Sequence, residues 1–113
     1  MKETAITKII KQFIKHANAF DVAAALTLFA PDAIIDDVSV GEKFKHTKGV
    51  RKYLDTFFVG YKTVTKLESV EVIDNKNAKA QVDFTGNFGH ETGGLNFTIN
   101  NDGLIILISA HLN

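Results

Sequence analysis

The sequence has no cysteine, no tryptophan and a single proline, Pro31, among its 113 residues. Without thiols it can form no disulfide, no thiolate zinc site and no cysteine nucleophile. It also lacks an excess of either charge: 13 Lys plus Arg balance 13 Asp plus Glu. Nucleic-acid and anionic-membrane binders need a basic excess to displace counterions, so neither partner is expected. Long apolar runs are missing too. Lys8, Lys11 and Lys15 interrupt the N-terminal apolar positions, whereas a membrane span needs about 20 unbroken apolar residues and a signal peptide a shorter run. The expected compartment is the cytoplasm. Hydroxylated aromatics are scarce, with two Tyr against nine Phe. Hydrophobic residues still make up 45% of the chain and charged residues 23%, enough for the core of one domain spanning residues 1–113.

The order of patterns predicts helices first and strands after. Ile6, Ile9, Ile10, Phe13, Ala17 and Phe20 recur at helical spacing over residues 4–19, with lysines opposite. Asp21 is placed to cap a second helix over 22–30 that stops before Pro31. Residues 33–38 alternate as a strand, with Ala33, Ile35 and Asp37 on one face and Ile34, Asp36 and Val38 on the other. A link around Gly41 follows. Thr47 then caps a third helix over 48–59, striped by Val50, Leu54, Phe57 and Phe58 and stopped by Gly60.

The second half reads as a meander. Ala78, Ala80, Val82, Phe84 and Phe88 alternate with polar residues. Gly89 to Gly94 read as a hairpin loop, and Leu95, Phe97 and Ile99 alternate again. The last strand, Leu104 to Ile108, is apolar on both faces. One face can be covered by the helices. The other predicts a homodimer through the outer sheet face, including Ile105 and Leu107. Helices followed by antiparallel strands give an α+β class.

Several segments, in order, resemble the nuclear transport factor 2-like superfamily, in its SnoaL-like (polyketide-cyclase-like) and ketosteroid-isomerase-like branches. They are Asn18-Ala19-Phe20-Asp21, Leu28-Phe29-Ala30-Pro31-Asp32-Ala33, Asp36-Asp37 and Val50-Arg51-Lys52-Tyr53-Leu54. His46 stands where the family carries a glycine. The resemblance implies a cone-shaped α+β barrel, with N-terminal helices packed in a curved antiparallel sheet around a hydrophobic pocket. It also implies a small apolar ligand. The function would be an isomerase-, cyclase- or dehydratase-like enzyme or, as the alternative, a non-catalytic binding or dimeric partner module. Fold alone does not choose between them.

Asp37 is the leading candidate for chemistry. It shares a face with Ile35, so an inward Ile35 carries Asp37 inward, and a desolvated carboxylate can act as an acid or base. The bland alternative is a strand-end pair with Asp36, one capping a turn and one solvated. Asp37 also stands where the resemblance places the proton-shuttling aspartate of the steroid isomerases. Those enzymes add a tyrosine on the first helix and a protonated acid on a late strand. The corresponding positions here are Phe13 and Leu95, both hydrocarbon, so steroid isomerisation is not expected.

His16 and Tyr53 are the candidate polar partners of Asp37, each with a structural alternative at the boundary of the core. The expected ligand-lining set is Phe13, Ala17, Phe20, Phe29, Ile35, Leu54, Phe57, Val82, Phe84, Leu95, Phe97, Ile108 and Leu112. Core packing is the simpler fate for most of these. His16, His46, His90 and His111 lack metal-ligand spacing, and no glycine cluster precedes a helix, so neither metal nor cofactor is expected.

Overall fold

The computed structural model describes residues 3–113. The amphipathic stripe near the N-terminus forms helix α1 (Ala5–Asn18), whose Thr4 cap accepts a hydrogen bond from the Thr7 amide at 3.2 Å. Its buried face carries Ile6, Ile10, Phe13, Ile14 and Ala17. Asp21 caps α2 (Val22–Leu26) by accepting from the Ala24 amide at 3.0 Å. That helix is shorter than the sequence suggests, because strand β1 (Phe29–Asp37) has already begun before Pro31. Proline fits there because the ladder with the neighbouring strand is irregular between Phe29 and Ile34. A bulged stretch asks for no amide at every position.

The link around Gly41 is a hairpin. Gly41 adopts φ +69°, in the left-handed region, and returns the chain as β2 (Glu42–Lys45), in register with β1 from Asp37–Glu42 to Ile34–Lys45. Helix α3 (His46–Tyr53) follows. Lys45, not Thr47, occupies the cap position, and it makes no side-chain cap bond. His46 adopts φ +65°, a conformation costly for a residue with a Cβ and free for the glycine the resemblance places there. The third helical pattern then continues as a π-helical turn (Leu54–Val59) instead of a regular helix to 59.

Strands β3 (Val64–Val72), β4 (Asn77–Gly86), β5 (Gly89–Ile99) and β6 (Ile105–Leu112) form the expected meander. Gly89–Gly94 belong to β5 and are not a loop. Only Asn87 and Phe88 join β4 to β5, with Gly86 paired to Gly89. The six strands run in the order β2-β1-β6-β5-β4-β3. Every neighbouring pair is antiparallel except β1 and β6, which are parallel, so the sheet is mixed.

Phe13 is the centre of the core. Its ring meets Phe29, Phe58 and Phe97 edge-on, with centroids 5.8, 6.1 and 5.7 Å away. Ile35, Val82, Leu95 and Ile108 are buried in the same cluster. Ile105 is buried there as well and does not belong to the outer face. The pairing with β5 shifts between Thr98–Leu107 and Ile99–Ile105, and this irregularity turns Ile105 inward while Leu107 stays half-exposed.

At the free edge of β3, the Asn18 side chain replaces a missing strand. It donates to the Thr65 carbonyl at 2.9 Å and accepts from the Thr65 amide at 2.7 Å. This clamps the end of α1 to the sheet and satisfies edge groups that would otherwise be buried unpaired.

Candidate functional site

Asp37 is the one carboxylate buried among the described residues, with 6% of its surface exposed. The alternation of β1 turns it inward with Ala33 and Ile35. Three donors converge on it. Tyr53, brought from the last position of α3, donates its hydroxyl to Oδ2 at 2.6 Å. Ser39, in the β1–β2 turn, donates its amide at 2.9 Å and its hydroxyl at 2.5 Å to Oδ1. A buried carboxylate accepting several donors is the arrangement that makes its burial affordable.

The pair faces a cavity of about 300 Å³. Val40, Phe57, Phe58, Phe84 and Leu112 supply apolar wall, and Thr63 a polar one. Tyr61, Phe88 and Glu91 complete it; these three, together with Val40 and Leu112, are exposed and mark its rim. The aromatic rings form a chain across the site. Tyr53 lies 5.0 Å from Phe57 and 4.9 Å from Phe44, Phe57 lies 5.6 Å from Tyr61, and Tyr61 lies 6.2 Å from Phe88. The π-helical turn carries Phe57 and Phe58 to this wall, and π turns recur at functional sites. Thr63 is anchored by donating its hydroxyl to the Phe57 carbonyl at 2.5 Å.

Burial raises the Tyr53 phenol pKa far above its ordinary value, and the hydrogen bond and negative charge of Asp37 raise it further. Tyr53 therefore stays protonated at neutral pH.

Of the residues singled out in the sequence, Asp37, Tyr53, Phe57, Phe84 and Leu112 come together at this cavity. Ala17, Phe20 and Leu54 border a separate shallow depression beside α2, where Phe20 is 39% exposed. Phe13, Phe29, Ile35, Val82, Leu95, Phe97 and Ile108 are core and do not border the cavity. His16 is half-buried on α1, away from the cavity wall, and is not among the hydrogen-bond partners of Asp37.

His90 lies outside, paired with Asp83 at 2.8 Å, which holds the imidazole pKa above its ordinary value. The His111 ring lies against Gly94, on a spot a Cβ would fill. No three His, Asp or Glu side chains gather as a metal site among the described residues. Arg51 is exposed and borders an open groove with Lys45, Lys48 and Lys52.

Sequence reasoning missed Ser39, Val40, Tyr61, Thr63 and Glu91. Glu91 had a signal. It pairs with inward-facing Phe84, but the surrounding glycines disguised the strand as a loop.

The profile of the SnoaL-like domain matches residues 10–107. No curated protein sequence matches the chain. Among solved structures, the chain is similar to Rv0760c of Mycobacterium tuberculosis in complex with estradiol-17beta-hemisuccinate: 18% identity, TM-score 0.87, covering 98% of this chain and 95% of that one. It is similar to a computationally designed 17-OHP binder: 16% identity, TM-score 0.88, covering 99% and 93%. It is also similar to SalBIII, an epoxide hydrolase/cyclase-like enzyme with a role in pyran ring formation in salinomycin: 17% identity, TM-score 0.83, covering 95% and 89%. At these identities the likeness is one of fold.

The raised phenol pKa has a measurable sign. Above pH of about 10 an unfolded tyrosine loses its proton while folded Tyr53 keeps it. Stability linked to Tyr53 is thus full below about pH 10 and falls above it. Wild type should lose stability relative to Tyr53→Phe by about 1.4 kcal/mol per pH unit there. Urea denaturation of both proteins from pH 9 to about 11.5 measures it. Parallel curves would show that Tyr53 is not held in its protonated state.

Proposed function

The chain belongs to the SnoaL-like domain family, and on that premise we propose that it is an acid–base enzyme acting on a small hydrophobic carbonyl compound. The observation that carries this reading is the buried Asp37–Tyr53 pair, 2.6 Å apart, facing an otherwise largely apolar cavity. Asp37 takes a proton from the carbon beside the carbonyl, and the C–H electron pair moves through to the carbonyl oxygen. Once Asp37 is protonated it is a poorer acceptor for the Tyr53 hydroxyl. The new oxyanion is then the better one, and Tyr53 donates to it. In a substrate with a β,γ C=C bond, return of the proton from Asp37 to the γ-carbon of the dienolate, with the double bond shifting into conjugation, completes an isomerisation. Expulsion of a leaving group from the next carbon would make it an elimination.

Phe13 and Leu95, where the isomerase resemblance places donors, are buried hydrocarbon, so neither can donate to the oxyanion and Tyr53 takes that role. The steroid bound by Rv0760c and the ligand of the designed binder support a ring-bearing hydrophobic molecule for this cavity too.

A non-catalytic binding role is the second reading. One observation favours it: the Tyr53 and Ser39 hydroxyls are already committed to Asp37. Exchange of carbon-bound hydrogen for solvent deuterium, followed by NMR with aryl ketones such as tetralone, separates the two. Catalysis predicts exchange above the buffer rate, falling about 100-fold or more in Asp37→Asn and about 100-fold in Tyr53→Phe. A ketone that binds wild type without any gain in exchange leaves the binding role.

We also propose that two copies pair through the outer sheet face. Ile34 on β1 and Leu107 on β6 are register neighbours, half-exposed and apolar, a patch a second copy can cover. Sedimentation should find a dimer at micromolar concentration and a folded monomer for Leu107→Lys. A wild-type monomer at high micromolar concentration refutes the pairing.

A further inference from the structure

The cavity is electrostatically one-sided. Asp37 and Glu91 border it, and among the described residues no Lys, Arg or His does. Lys62 and His90 are chain neighbours of lining residues but do not line the cavity, His90 being paired with Asp83, and Lys45, Lys48, Arg51 and Lys52 border a different groove. Its hydrogen-bonding capacity is one-sided in the same sense. The hydroxyls of Ser39 and Tyr53 donate to Asp37, and that of Thr63 donates to a backbone carbonyl, while that of Tyr61, at the rim, is in no hydrogen bond among the described residues. A resting ligand therefore meets mostly acceptors: the remaining lone pairs of Asp37, of these hydroxyls and of Glu91. The rim adds aromatic surface. Tyr61 and Phe88 are 44% and 43% exposed, with ring centroids 6.2 Å apart, at the same end as exposed Glu91.

We propose that the ligand of this cavity carries a protonated amine, held at the rim by Glu91 and the rings of Tyr61 and Phe88, with its hydrophobic body inside against Phe57 and Phe84. The proposal rests on the reading of this cavity as the ligand site and adds the chemical class of what enters it. An ammonium group brings donors and no acceptor, which is what the site lacks. Its charge is attracted by the carboxylate and by the faces of the aromatic rings. A carboxylate or phosphate on the same body would meet two like charges, with the rim hydroxyl of Tyr61 as the one free side-chain donor among the described residues. The exposed rim suits a group that must remain partly hydrated, while the apolar wall takes the rest.

A matched series tests this: phenylbutylamine, phenylbutanol and phenylbutanoate, titrated into the full-length protein and followed by NMR shifts of the aromatic residues. The amine should bind about tenfold more tightly than the alcohol, the sum of an exposed cation–π contact and an exposed ion pair. The carboxylate should be the weakest of the three. Glu91→Gln, at an exposed position, should remove most of the advantage of the amine without weakening the alcohol. Added salt should erode the advantage as well. Equal binding of the three, or an amine preference untouched by Glu91→Gln, overturns the charge selection while leaving a hydrophobic ligand site in place. Failure of all three to perturb the cavity residues overturns the ligand site itself, and this proposal with it.

Discussion

A carboxylate inside an apolar wall is the constraint around which this molecule is organised. Moving an unpaired charge out of water costs several kcal/mol even after relaxation. Asp37 escapes that cost because three donors reach it from two separate elements. The β1–β2 turn must close tightly enough to bring the Ser39 amide and hydroxyl back onto Oδ1. Helix α3 must start and end where it does for Tyr53 to reach Oδ2. The Asp37 carbonyl itself accepts from the Gly41 amide at 3.0 Å, so the residue that supplies the charge also fixes the turn that satisfies it. Parallel pairing with β6, extended by the Val38 amide on the Ala110 carbonyl at 3.1 Å, holds the strand in place.

The rest of the interior decides how much room that carboxylate faces. Phe13, Phe29, Phe58 and Phe97 interlock edge to face and fill one part of the space between helices and sheet. The cavity is what remains between α3, its π-helical extension and the ends of β4, β5 and β6. A Phe at position 13 therefore does two things. It leaves no hydroxyl at a position where the isomerase resemblance places one, and it supplies the ring against which Phe29, Phe58 and Phe97 pack. The proposed chemistry rests on a single acid–phenol pair, with Phe57, Phe58 and Phe84 as its apolar neighbours in the cavity.

Much of this was legible in the amino-acid order. The helical stripe of α1, the Asp21 cap, the inward face of β1 and the closing meander follow from local periodicity, which tertiary packing did not override. Asp37 could be placed inside because strict alternation tied it to Ile35. Two of the exceptions share one physical cause: an irregularity of register leaves no local trace. Pro31 reads as the end of a helix, yet sits in the bulged start of a strand. Ile105 reads as outward by counting from Ile108, yet one shifted pair with β5 turns it into the core. Ser39 is an ordinary turn serine until the fold shows that its turn closes over a buried charge. His16 and Tyr53 are both candidates by pattern, His16 the weaker, and only the direction of α3 brings the tyrosine to Asp37.

The coupling between Asp37 and Tyr53 is the quantity on which both the fold of this corner and its proposed chemistry rest. A double-mutant cycle of Asp37→Ala and Tyr53→Phe, with stability measured by urea denaturation at neutral pH, reads it directly. A buried hydrogen bond to a charged group predicts a coupling of about 1.5–3 kcal/mol, with the double mutant less destabilised than the sum of the singles. Additivity within about 0.5 kcal/mol would mean that the two groups do not act as a pair and would contradict the central role given to them here.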